Sequence, residues 1–166
     1  SISKYSNANP AQITITSQSK SSDNPLTGMS TEYKITNAGT AQTSPGLGGF
    51  VQSKAVTESH VYVLVFVAKL PVGYYFHNAN NNLGTGATTE WLTSNEGTGN
   101  WQTYVYKVNA GTGSSLSTFG FIYVSTDKTN VWGGARSETG AYTAYLGYSN
   151  IFDITSNNAG IGQVDG

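Results

Sequence analysis

A chain of 166 residues can form one domain with a self-sufficient core, because folding at this size buries roughly 70% of the surface exposed by the unfolded chain. A net charge of −1 and eight scattered Lys and Arg leave no basic stripe to track phosphates, so neither nucleic acid nor a membrane surface is an expected partner. Charged residues make up only 10%, against about 25% in an average domain, so solubility rests on Ser, Thr, Asn and Gly, a composition common in secreted and virion β-proteins.

No segment sustains helical periodicity over three turns. Short runs rich in β-branched and aromatic residues alternate with turn punctuation instead. In chain order, strands are expected at 12–17, 31–37, 49–54, 60–70, 73–77, 89–93, 101–108, 117–124 and 142–154. Breaks fall at Asp23-Asn24-Pro25, Ser44-Pro45-Gly46, Pro71, 80–86, Gly97-Thr98-Gly99, 111–115 and Gly133-Gly134. Gly-Thr-Gly recurs at 84–86, 97–99 and 111–113 with unmatched flanks, which reads as turn chemistry. The spacing predicts an all-β fold, a two-sheet antiparallel β-sandwich with essentially no helix. A single domain spans 1–166, with its core at 11–155 and linker-like tails at 1–10 and 156–166.

The run 60–70 is apolar on both faces, so it is expected as a central strand, covered on one side by the facing sheet and on the other by loops or a partner. Its longest apolar stretch, 61–68, is too short to span a bilayer. In 101–108, Tyr104, Tyr106 and Val108 share one face, expected inward. Val63, Val65, Phe66, Phe121 and Tyr123 are expected to join them in the core. The chain has no cysteine and no Asn-x-Ser/Thr sequon, and it opens at Ser1 without a signal peptide. We read it as a domain of a longer protein.

The order of a polar strand at 30–37, a Gly-rich link at 46–50, a long apolar strand at 61–70, then WQTYVYKV, FGFIYV and AYLGYSNIFDIT resembles the jelly-roll carbohydrate-binding modules of the galactose-binding-like superfamily. VYVLVFVAKLPVGYYFHNANN together with WLTSNEGTGNWQTYVYKV is also similar to modules in tail-fibre and other appendage proteins of bacteriophages. The resemblance covers 30–155 and implies a jelly-roll sandwich. Where such modules often carry an acidic pair on the closing strand, this chain has Asn150 and Asp153.

Among catalytic signatures, no Gly-x-Ser-x-Gly, His-Glu-x-x-His, Walker loop or dinucleotide fingerprint occurs. Glu90 and Glu96 are the closest carboxylates flanking a Trp, but a glycosidase pair is defined by separation in space. His60 reads as structural. Sugar rings lie with their C–H faces against Trp or Tyr while amides and hydroxyls bind their hydroxyls. On that chemistry the candidate ligand residues are Trp132, Arg136 and Glu138 in the polar loop 127–140, Trp91 in 88–100, and Tyr75, His77 and Asn78 before an asparagine run. Trp101, leading a strand, reads as structural. No cofactor is required. A structural calcium would draw on Glu32 and Asp153 if the first and last strands meet. Three function classes follow: a non-catalytic carbohydrate-binding module giving its parent adhesion to a polysaccharide or surface glycan, an assembly domain of a virion or fibre, and, last, a glycan-active enzyme. The expected location is a virion, the cell surface or the extracellular medium, and a fibre parent would make the domain a homotrimer.

Overall fold

The computed structural model of the chain describes residues 2–6, 13–38, 48–78, 83–113, 119–126, 128–129 and 141–158. Their elements are β1 (Ile2–Ser6), β2 (Ile13–Ser19), β3 (Thr31–Asn37), β4 (Gly48–Lys54), β5 (Val61–Lys69), β6 (Tyr75–Asn78), β7 (Thr88–Trp91), β8 (Trp101–Asn109), β9 (Phe119–Ser125), β10 (Tyr142–Asp153) and a single helical turn, α1 (Thr155–Asn158). All strand pairs are antiparallel. They form a four-stranded sheet of order β1-β4-β9-β6 and a six-stranded sheet of order β2-β3-β10-β5-β8-β7. The result is the expected two-sheet β-sandwich.

Strand β5 is central, paired with β10 on one side and β8 on the other. Both its parities are apolar, and side-chain size decides between them. Tyr62, Leu64, Phe66 and Ala68 are buried, while Val63, Val65 and Val67 face outward and are half-exposed. The expectation that Val63 and Val65 lie in the core is therefore corrected: the bulkier residues of the other parity fill the space between the sheets. Phe66, Tyr104, Tyr106 and Tyr123 are buried as expected. The side chain of Phe121 lies outside the described residues.

Aromatic rings join the layers. Phe66 and Tyr104 of the six-stranded sheet stack with centroids 5.1 Å apart. Phe50 and Phe76 of the four-stranded sheet meet the Phe66 ring edge-on at 5.3 and 5.1 Å, and Phe76 meets Tyr104 at 4.8 Å. Such edge-to-face geometries are the favoured ones for aromatic pairs. Burial pushes the phenols of Tyr104 and Tyr106 up to about 12, so both stay neutral.

Two expectations for the ends are corrected. Residues 1–10, expected as linker, include β1, whose side-by-side partner β4 lies far along the chain. Residues 155–158, partly assigned to a tail, close into α1, with the Thr155 hydroxyl accepting from the Val61 backbone N–H at 3.0 Å and its backbone N–H donating to Asp153 at 3.1 Å.

Truncating Phe66 to Ala should cost about 3–5 kcal/mol, because the residue links both sheets. Val65→Ala, on the outward face of the same strand, should cost about 1 kcal/mol or less. Urea unfolding of the two variants measures the contrast. Gly49→Ala should destabilise strongly, since a Cβ there would collide with the Ile122 carbonyl across the β4–β9 ladder.

Candidate ligand-binding surface

Strand register arranges the outward side chains of the six-stranded sheet in rows. Thr14, Thr36 and Thr143 align across β2, β3 and β10. The next outward row runs Thr16, Lys34, Tyr145, Lys69 and Trp101. These positions alternate with Ile13, Ile35 and Ala144, which are buried between the sheets. At the threonine end lies an open depression of about 340 Å³ lined by Thr36, Asn37, Ala38, Ala141, Tyr142 and Thr143. That volume falls in the range of small-molecule sites, and the lining carries no charge. Tyr142 is buried with its ring 5.5 Å from Tyr74, whose hydroxyl donates to the Ala141 carbonyl at 3.3 Å. Burial raises the Tyr142 phenol far above its usual range, so it too is neutral.

A loop between β2 and β3 crosses the middle of this face, anchored on a buried carboxylate. Glu32 is 1% exposed and accepts from Gln18 Nε2 at 2.9 Å, Ser21 Oγ at 3.0 Å and Asn24 Nδ2 at 2.8 Å. Burial raises its pKa, but these hydrogen bonds together outweigh burial and leave it below the usual carboxylate value. The Asn24 side chain also accepts from the Leu26 backbone N–H at 3.0 Å, folding the turn on itself. Asp23 binds Lys69 Nζ at 2.6 Å. That bond, then one from Ser21 and a smaller contribution from Trp101, holds its carboxyl at about 2. Leu26 and Asn24 lie against Gly147, where a Cβ would fall 2.8 and 2.9 Å from their side chains and 3.3 Å from the Trp101 ring. Glycine is required there because loop and sheet touch at a β-bulge, between Leu146 and Tyr148.

The residues singled out from sequence fall in several places. Trp132, Arg136 and Glu138 lie outside the described residues. Trp91 stands on β7, within the strand expected at 89–93, and its half-buried indole packs 4.9 Å from the Tyr106 ring and 6.1 Å from Phe66. Tyr75, His77 and Asn78 share the edge strand β6. His77 is only 7% exposed and pairs in register with buried Tyr123, on the face of the four-stranded sheet opposite the core residue Phe76. Tyr75 and Asn78 are half-exposed, and Tyr75 bridges to Glu96.

Glu32 and Asp153, expected to meet in a calcium site, do not. The paired register of β3 with β10 runs only to Tyr33 opposite Leu146, and Asp153 lies opposite Tyr62 at the far end of β10. Glu32 is held by amides and a hydroxyl, while Asp153 binds His60 Nδ1 at 2.7 Å. Hydrogen bonds from Thr155, then His60, hold Asp153 at about 2. Among the described residues no group of three or more His, Cys, Asp or Glu is placed to hold a metal. Glu90 pairs with Lys107 at 3.3 Å on the outward face.

No family model matches this chain, and no curated protein does. Among solved structures, it aligns with the enzymatically active domain of tailspike protein 4 of bacteriophage CBA120, at a TM-score of 0.47 and 13% identity, over 93% of this chain and 19% of the tailspike chain. At that level the likeness assigns no roles to residues. The threonine row, Tyr145 and the depression escaped the sequence reading because they depend on the register of strands far apart in the chain. Alternation within the strand around Thr36 was the one visible cue.

Two outcomes follow for the anchored loop. Glu32→Gln removes one acceptor oxygen from three donors and should cost about 1–3 kcal/mol in chemical unfolding. A carboxyl whose folded-state pKa lies below its unfolded value adds stability above the unfolded pKa and loses it as pH falls through the folded one. Asp23 and Asp153 are held near 2 against a usual 3.8. The unfolding midpoint should therefore drop between about pH 4 and pH 2. Asp23→Asn and Asp153→Asn should flatten that drop, read by thermal scans across the range.

Proposed function

We propose that this domain is a non-catalytic carbohydrate-binding module of jelly-roll type, part of a larger virion, bacterial-surface or secreted protein, and that it holds a neutral glycan at the depression where β3 meets β10. The observation that carries this reading is the lining itself: the register-paired Thr36 and Thr143 set two hydroxyls side by side over an uncharged floor, with Thr14 continuing the row. Hydroxyls and amides of this kind exchange hydrogen bonds with sugar hydroxyls, and the Tyr145 ring in the next row offers a face for a sugar ring. In sequence, Trp132, Arg136 and Glu138 closely precede Ala141, a residue of the lining.

A non-catalytic role is supported by how the acidic groups are used. Of the six described acidic residues, five, Asp23, Glu32, Glu58, Glu90 and Asp153, are each tied to a lysine, a histidine, an amide or a backbone N–H. The reading requires no cofactor. Assembly in a fibre is the second reading, favoured by apolar rows at the opposite end of the same face.

A glycan array on the isolated domain is the first test, and a blank array overturns the reading. For a glycan that binds, affinity should change little between low and high salt, because the site is uncharged. The double variant Thr36→Ala, Thr143→Ala should weaken binding about tenfold, two hydrogen bonds being worth about 0.5–1.5 kcal/mol each. Trp132→Ala should weaken binding about tenfold or more while moving the unfolding midpoint by only a few degrees. A steep salt dependence would point instead to an acidic ligand.

A further inference from the structure

Beyond the 21–27 loop, the outward face of the six-stranded sheet changes character. Register sets Tyr148, Val67 and Thr103 in one row, Asn150, Val65 and Val105 in the next, and Phe152, Val63 and Lys107 in the third. The valines and Tyr148 are half-exposed, and Phe152 is 42% exposed. Leu92, 52% exposed, extends the middle row, its backbone N–H donating to the Val105 carbonyl at 2.9 Å. A contiguous apolar field of this kind on a soluble domain marks a contact surface.

We infer that this field is where a second copy of the chain docks, face to face, about a two-fold axis laid along β5. Two features select a second copy over an unrelated partner. The first is the placement of side chains about β5. On one flank stands the column Tyr148, Asn150, Phe152, with two aromatic rings. On the other flank stands the column Thr103, Val105, Lys107, with no ring and one ammonium. A two-fold rotation about β5 lays each column of one copy over the opposite column of the other. Phe152 then covers the second copy's Lys107, Tyr148 covers the second copy's Thr103, and the valine column meets itself. An ammonium against an aromatic face is a favourable contact, and one surface serving both copies is the hallmark of a closed two-fold pair.

The second feature is charge. Charges in and beside the field are already paired within the copy, Lys107 with Glu90 at 3.3 Å, Lys69 with Asp23 at 2.6 Å and His60 with Asp153 at 2.7 Å, and Lys34 lies away from it toward the threonine end. An identical surface therefore brings neither repulsion nor an unmet charge. At strand spacings of about 4.8 Å, three columns by three rows cover on the order of 300 Å² per copy. That is well under half of what each partner buries in a stable complex, so the contact is weak in isolation. It becomes effective when a parent protein holds copies together.

The inference is independent of glycan binding and is tested on the 166-residue chain. Sedimentation equilibrium from 10 µM to 1 mM should show a dimer growing in above about 100 µM, as expected for so small a contact. Phe152→Lys should abolish it by setting like charges against each other. Phe152→Glu should retain it with a new salt sensitivity, since the carboxylate would face the second copy's Lys107. Because the chain has no cysteine, Val65→Cys gives a clean probe at the axis. A short bis-maleimide should link two Val65→Cys copies rapidly and two Thr14→Cys copies slowly. A monomer at 1 mM, self-association of Phe152→Lys equal to the parent, or faster linking through Thr14→Cys would each overturn the proposal. Circular dichroism of every variant separates these results from unfolding.

Discussion

The contact on which the rest of the fold depends is Phe66 of β5 set among Tyr104, Phe50 and Phe76. It sits on the central strand of the larger sheet and touches both β4 and β6 of the smaller one. Because the large residues of β5 are consumed by this inward task, its valines are left to the outside. The outer face therefore carries an apolar band that a purely solvated sheet would not retain.

The loop anchored on Glu32 gives that face its functional order. A carboxylate out of water is costly unless its lone pairs are met, and here two amides and a hydroxyl meet them. The same turn delivers Asp23 to Lys69 and lays Leu26 on Gly147. The polar rows by Thr143 and the valine rows by Phe152 thus become separate territories of one sheet. A ligand on one does not have to displace a partner on the other.

The sequence made the sandwich legible where strands are long and rich in rings, as along β5 and β8, and failed where meaning depends on distant partners. β1 is only five residues and takes its identity from pairing with β4, so it read as a tail. Trp91 read as a candidate ligand residue because 88–100 is rich in turn residues and no local pattern buries its indole. Its neighbour Tyr106, which defines its strand, is fixed by register and not by any local pattern. Val63 and Val65 were assigned inward because alternation cannot choose between two apolar parities. Volume chose. Glu32 read as a metal ligand because its acceptors are visible in sequence, whereas the Asn24 turn that satisfies them becomes specific only once the chain folds back. The candidate depression is a product of two strands far apart in the chain and had no local signature beyond neutral hydroxyls.

Unequal anchoring of β1 and β10 gives the domain a mechanical polarity. β1 is an edge strand bonded to β4 alone, whereas β10 is clamped between β3 and β5 and locked at its end by Thr155 and the His60–Asp153 pair. A tensile load entering through both would meet one ladder at the first strand and two at the last. Under tension β1 is the first part to peel. It can lengthen the connection while β2 to β10, with the core and the outer face, remain folded.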